Sequence, residues 1–182
     1  MTREAAIERA ADHMAKGTFL ADLSALVAWK TESQRPETLP LLTDFLVEEL
    51  KPRFESMGFS CRLLHTPSAP APFLLAERLE GPDLPTVLCY GHGDVVRGQE
   101  DSWEPGLAPW TVRTLDDAWY GRGTADNKGQ LLTNMTALGL VLAARGRLGF
   151  NCKFLVEMGE EIGSPGLREI CAEEAEVLAA DV

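Results

Sequence analysis

Three short segments carry side chains able to bind a metal or move a proton. In YGHGDVV (90–96), His92 has a glycine on each side and Asp94 two residues on. Flanking glycines leave the backbone around the imidazole uncrowded, as a metal or substrate site needs. Asp94 can accept a hydrogen bond from the other ring nitrogen, which fixes the tautomer and makes the imidazole a better ligand. A surface turn with a satisfied histidine would use the same residues. In YGRGTADNKG (120–129), Asp126 follows a Gly-rich turn and precedes an apolar run. A phosphate-binding P-loop needs GKS or GKT, whereas here Lys128 precedes Gly129 and Gln130. The dinucleotide pattern GxGxxG fails as well, because Asp126 takes the third glycine's place. Asp126 is then a ligand or the N-cap of the following helix. In EMGEEIGS (157–164), Glu160 and Glu161 are adjacent carboxylates that repel each other unless a cation is near. A divalent cation would take one as a ligand and leave the other as a general base toward water. A solvated acidic turn is the alternative.

The three segments are evenly spaced: His92 to Asp126 and Asp126 to Glu160 are each 34 residues (92 to 126, 126 to 160). A strand–helix pair takes about 30 residues, so successive segments could arrive at one edge of a sheet, where ligands of α/β proteins gather. His, Asp and Glu donors suit zinc, and carboxylate-rich sites also accept manganese or cobalt.

The elements that must position these residues follow from periodicity. Helices are expected over 3–16, with Ile7, Ala10, Ala11 and Met14 on one face, and over 18–30, with Leu20, Leu23, Leu26 and Val27. TESQRPETLP reads as a polar connector. A third helix spans 41–57, with Leu42, Phe45, Leu46, Glu49, Leu50 and Phe54 in register and Pro52 bending or shortening it. Strands are expected at 59–64, 73–79, 86–90 and 150–157, with TPSAPAP a stiff loop or crossing between the first two. Residues 98–117 read as an irregular loop, 127–145 and 165–175 as helices, and AADV as the opening of another strand. This alternation implies an α/β layered domain with a mixed, largely parallel sheet.

The formal charge of −11, from 17 basic and 28 acidic residues, sets the chain against phosphate backbones and anionic membranes. Nucleic acid and membrane are therefore excluded as partners. Neither a run of about 20 apolar residues nor an N-terminal signal block is present, so a cytoplasmic location is expected. Cys61, Cys89, Cys152 and Cys171 are scattered and read as reduced core thiols. The chain is expected to be truncated, because it stops on what reads as a strand entering the sheet.

GHGDVV, SWEPGLAPW, WYGRGTADNKG and EMGEEIGSPGL, in this order, resemble the N-terminal part of the M20 metallopeptidases, which include dipeptidases, aminoacylases and amino-acid deacylases. The resemblance runs from about residue 20 to the end. It implies a three-layer αβα sandwich of the zinc-exopeptidase kind, of which residues 1–182 are an N-terminal portion. It also implies a site with two divalent metal ions, zinc before manganese or cobalt. His92 would be a ligand of one metal, Asp94 its orienting partner and Asp126 the carboxylate bridging both. Glu161 would be a ligand of the second metal and Glu160 the general base. The bond after the bridging aspartate is typically cis in the family. The implied reaction is hydrolysis of the amide bond of a dipeptide or N-acyl amino acid by a water activated between two metals, in a parent that is a homodimer. The family's further carboxylate ligand, its last histidine and its lid and dimerisation domain have no counterpart here. His13 and His65 lie upstream of every motif, and Asp181 precedes a strand where the family's ligand follows one. On this reading the isolated chain is inactive. The rival reading is a non-catalytic fragment or degenerate binding module lacking the last metal ligands.

Overall fold

The computed structural model describes residues 3–182, and in it the chain divides into two units. One holds the residues up to Lys30 together with Gly98–Leu148, and the other holds Thr31–Arg97 with Gly149–Val182. No helix among the described residues is long and apolar enough to cross a membrane.

The first unit is built on α1 (Arg3–Ala15), α2 (Thr18–Ala28) and α5 (Lys128–Arg145). Leu23, Leu26 and Val27 of α2 and Leu131, Leu132 and Met135 of α5 are buried. The apolar face read along α1 stays open, with Ile7 and Met14 half exposed. The expected loop at 98–117 contains more order than its composition suggests. Strands β4 (Arg113–Leu115) and β5 (Ala118–Tyr120) form an antiparallel hairpin. Asp116 takes the left-handed conformation its turn requires, at φ 52°, which Asp tolerates better than most residues. The strands are three residues each and mostly exposed, so they carry no apolar alternation to read. Trp119 stacks on Phe19 of the neighbouring helix, 5.9 Å between ring centres.

The second unit carries a four-stranded sheet of β1 (Ser60–Leu64), β2 (Phe73–Arg78), β3 (Thr86–His92) and β6 (Asn151–Glu157), ordered β1–β2–β6–β3. The sheet is mixed, but only β3–β6 is parallel; β1–β2 and β2–β6 are antiparallel. The short Pro-rich connection between β1 and β2 allows only an antiparallel return, because a parallel crossover needs a dozen or more residues. Its Thr66 and Ser68 hydroxyls donate to Glu169, at 2.7 and 2.9 Å. On the open side of β3, Val182 donates to Thr86 O at 3.3 Å and accepts from Leu88 N at 2.8 Å. AADV, expected to open another strand, forms no strand element, although Val182 makes these two hydrogen bonds to β3.

Helices cover both faces of this sheet. On one, Leu64, Phe73, Leu75 and Leu155 pack with Ile170 of α6 (Leu167–Glu173) and Leu178 of α7 (Ala175–Leu178). The single helix expected at 165–175 is thus two short ones. Opposite lies a helical run with α3 (Leu39–Asp44) and α4 (Lys51–Ser56) joined by a π-helical turn, Phe45–Leu50. Its Phe54 meets Phe59 and Phe154, with ring centres 5.5 and 5.2 Å apart. The wider turn falls just before Pro52, which has no N–H to donate and whose ring crowds the carbonyl four residues earlier. Pro52 therefore widens the helix instead of ending it. Every residue of β6 is buried; Lys153 escapes charge isolation by donating to Ala179 O at 2.7 Å and to Val177 O. The four cysteines are free thiols, but only Cys152 lies in the core; Cys61 and Cys89 are half-buried and Cys171 is exposed on α6.

Candidate metal centre

Strands β3 and β6 run parallel and end together, with His92 paired to Glu157. His92 is thus the last residue of the strand, two residues beyond the end expected from the apolar run. Past it the chain is held by a segment that reads as a polar connector. Thr31 Oγ1 donates to Gly93 O at 2.7 Å, Val95 N donates to Thr31 O at 2.9 Å, and Glu32 bridges to Val95. Glycine at 93 serves this packing: a Cβ there would lie 2.6 Å from Phe45 Cε1 and 2.8 Å from Met158 Sδ. The space it leaves is taken by the core, not kept open for a ligand.

Asp94 is fully buried and joins the two motifs of this unit. Its Oδ1 and its main-chain oxygen lie 3.3 and 3.2 Å from His92 Nδ1. The same carboxylate accepts the backbone N–H of Glu160 at Oδ1 and of Glu161 at Oδ2, each at 3.2 Å. Orientation of the histidine is the role its spacing suggests, and the capping of the Glu160–Glu161 turn comes in addition. That turn is a short 3-10 segment, Glu160–Ile162. Glu160 points its Oε2 to within 3.8 Å of His92 Nε2, and Gln34 Nε2 donates to Glu161 O at 3.4 Å. The structure so brings His92, Asp94, Glu160 and Glu161 together at the carboxyl ends of β3 and β6.

Asp126 belongs to the other unit and is exposed there. Helix α5 starts one residue later than an Asp126 cap would require, with Asn127 at the N-cap. The Asp126–Asn127 peptide bond is cis. Behind it the turn is closed tightly: Gly129 N donates to Gly123 O at 3.1 Å, and a Cβ at 129 would fall 1.9 Å from Thr124 O. Lys128 is fully buried and donates from Nζ to Trp29 O, 2.6 Å away, at the C-terminal end of α2. A cation is well placed at that end of a helix.

Glu157 is a residue that composition and spacing do not single out. Its carboxyl is fully buried and accepts at Oε1 from Ser164 Oγ, at 2.8 Å, and from the Tyr90 hydroxyl. Oε2 is buried with no hydrogen-bond partner. Burial pushes this carboxyl above the ordinary range, and the charge of Asp94 adds to the shift against the two hydrogen bonds. Burial and the neighbouring Glu157 also raise the Tyr90 hydroxyl. The only signal in the sequence is an acidic residue at the end of an otherwise unbroken buried strand.

Among the described residues no three His, Cys, Asp or Glu side chains are gathered so as to hold a metal ion by themselves. In kind, the residues fit a divalent cation: a buried imidazole backed by the Asp94 carboxylate, beside the adjacent Glu160 and Glu161.

A profile of peptidase family M20/M25/M40 matches residues 88–181, which is more than half of the chain and includes each of these motifs. The chain belongs to this family. Over 104 residues it is 41% identical to the Beta-Ala-His dipeptidase of Mus musculus, covering 57% of this chain and 21% of that protein. Over 163 residues it is 32% identical to a Cys-Gly metallodipeptidase of Candida albicans, covering 80% and 31%. The crystal structure of human carnosine dipeptidase 1 superposes with a TM-score of 0.87 at 27% identity, covering 96% of this chain and 38% of that one. The M20 chain therefore spans well under half the length of the relatives it matches. The αβα layering of its second unit is that of an M20 catalytic domain.

Proposed function

We propose that the protein carrying this chain is a metal-dependent dipeptidase, with His92, Asp126 and Glu161 as metal ligands and Glu160 as the general base. The observation that carries the reading is the Asp94 carboxylate. It lies 3.3 Å from His92 Nδ1 and accepts from the backbone N–H groups of Glu160 and Glu161 at the same time. One residue thereby sets an imidazole ligand, a carboxylate ligand and a base in a fixed relation, which is what metal-assisted hydrolysis needs from its scaffold. Two divalent cations complete the proposal; zinc suits imidazole and carboxylate donors, and manganese and cobalt are the alternatives. When bound they supply Lewis acidity and a lowered pKa for water.

The chain's own part is proton handling and orientation. Glu160 takes a proton from the attacking water as oxygen bonds to the amide carbon. It returns that proton to the amine nitrogen as the C–N bond breaks. Its half-exposed position gives it access to solvent and substrate. The four free thiols suit a reducing cytosolic setting.

The relatives named for Beta-Ala-His and Cys-Gly cleavage favour dipeptides over N-acyl amino acids as substrates. The test is hydrolysis by the whole zinc- or manganese-loaded protein of β-Ala-His, Cys-Gly, an N-acetyl amino acid and an N-succinyl amino acid. A free amino group on the substrate is expected to give a kcat/KM at least about tenfold above that of the acylated compounds. Faster hydrolysis of the N-acyl substrates would reassign the protein to deacylation.

A further inference from the structure

The turn that carries Glu160 and Glu161 is fastened at two ends, and only one of them is Asp94. Within the turn, Ile162 N and Ser164 N both donate to Gly159 O, at 3.2 and 2.8 Å, and Gly163 N donates to Glu160 O at 2.9 Å. The turn closes on Ser164, whose backbone sits at φ 53°, in the left-handed region that a serine rarely adopts. What Ser164 meets there is Glu157, the last residue of β6. Its Oγ donates to Glu157 Oε1, which also accepts from Tyr90 of the adjacent strand. Glu157 is fully buried, and its second oxygen has no hydrogen-bond partner. A buried carboxyl is a costly way to end a strand unless its hydrogen bonds do something an apolar side chain could not.

We infer that Glu157 is a positioning residue: by accepting from Ser164 and Tyr90 at one oxygen, it fixes the far end of the Glu160–Glu161 turn against β3 and β6. Asp94 holds the near end through the two backbone N–H groups. With both ends tied, the two carboxylates leave the backbone at fixed points. The consequence for catalysis rests on the roles proposed above for Glu160 and Glu161; the fastening itself does not.

The experiment compares Glu157→Ala, Glu157→Gln and Ser164→Ala by amide hydrogen exchange on the whole protein. Glutamine keeps the accepting oxygen in the same place, so it should restore what alanine loses. Glu157→Ala and Ser164→Ala are expected to speed exchange at the Glu160 and Glu161 amides about tenfold or more, with the β1 and β2 amides unchanged. Glu157→Gln should stay within about threefold of the parent chain. In the whole metal-loaded protein the alanine variants should lower kcat with KM nearly constant, and glutamine should recover it. Unchanged exchange at 160 and 161 in both alanine variants would overturn the inference. So would a glutamine variant as impaired as alanine, which would assign Glu157 a role through its charge. If Glu157→Ala fails to fold, Ser164→Ala decides, since it removes one partly buried hydroxyl and leaves the strand intact. Altered exchange in a protein without peptidase activity would uphold the fastening and refute the dipeptidase reading.

Discussion

Glu160→Gln is expected to lower dipeptide turnover about 10²–10⁴-fold, the usual contribution of a positioned acid–base group, while metal content stays at the parent level. The amide has the shape of the carboxylate but cannot accept a proton at neutral pH. The fold has little reason to respond. Glu160 is tied to Asp94 through its backbone N–H, which the substitution leaves alone, and its side chain is 44% exposed. Steady-state rates and plasma mass spectrometry on the same preparation separate the outcomes. Metal loss in proportion to activity loss would make Glu160 a ligand instead of a base.

Asp94→Asn is expected to be nearly as damaging as Asp94→Ala, although it removes no volume. Oδ1 accepts from Glu160 N and lies beside His92 Nδ1, while Oδ2 accepts from Glu161 N. Whichever way an asparagine amide is turned, its NH₂ confronts a backbone N–H. One buried donor is left unsatisfied, at a cost of about 1–3 kcal/mol, and the imidazole loses the carboxylate that orients it. Metal affinity should fall about 10–100-fold, as for other residues that back a metal-bound histidine. Competition with a chelator and a urea melt measure the two effects. An asparagine variant with the parent's affinity and stability would show that the carboxylate does neither job.

What could be read from the sequence followed local physics. Helix α5 is a long, strongly apolar segment, strand β6 is marked by its apolar run FLV, and the three acidic or imidazole motifs stand out at the segment ends. The remainder depends on partners distant in the chain. Thr31 and Glu32 lie in a stretch that looks like a polar connector, because their hydrogen bonds go to residues 93 and 95, some 60 positions on. Glu157 is not singled out by composition or spacing; its hydrogen bonds come from Tyr90 of the adjacent strand and from Ser164 of the turn that folds back to it. The β4–β5 hairpin is too short and too exposed to leave a period of two. Gly93 reads as room for a ligand until Phe45 and Met158 are seen to fill that room. Pro52 reads as a helix bend or stop, yet a π-helical turn absorbs it. Of the three ladders in the four-stranded sheet only β3–β6 is parallel, because β6 enters between β2 and β3, a placement that a local pattern does not register.

The most direct test of the proposed metal centre is the metal content of the whole protein after dialysis against dilute zinc, measured for the parent and for Asp126→Ala. The proposal predicts about two equivalents in the parent, as a two-metal site requires, and loss of both in the variant. No bound zinc in the parent, or full zinc content without Asp126, would contradict it.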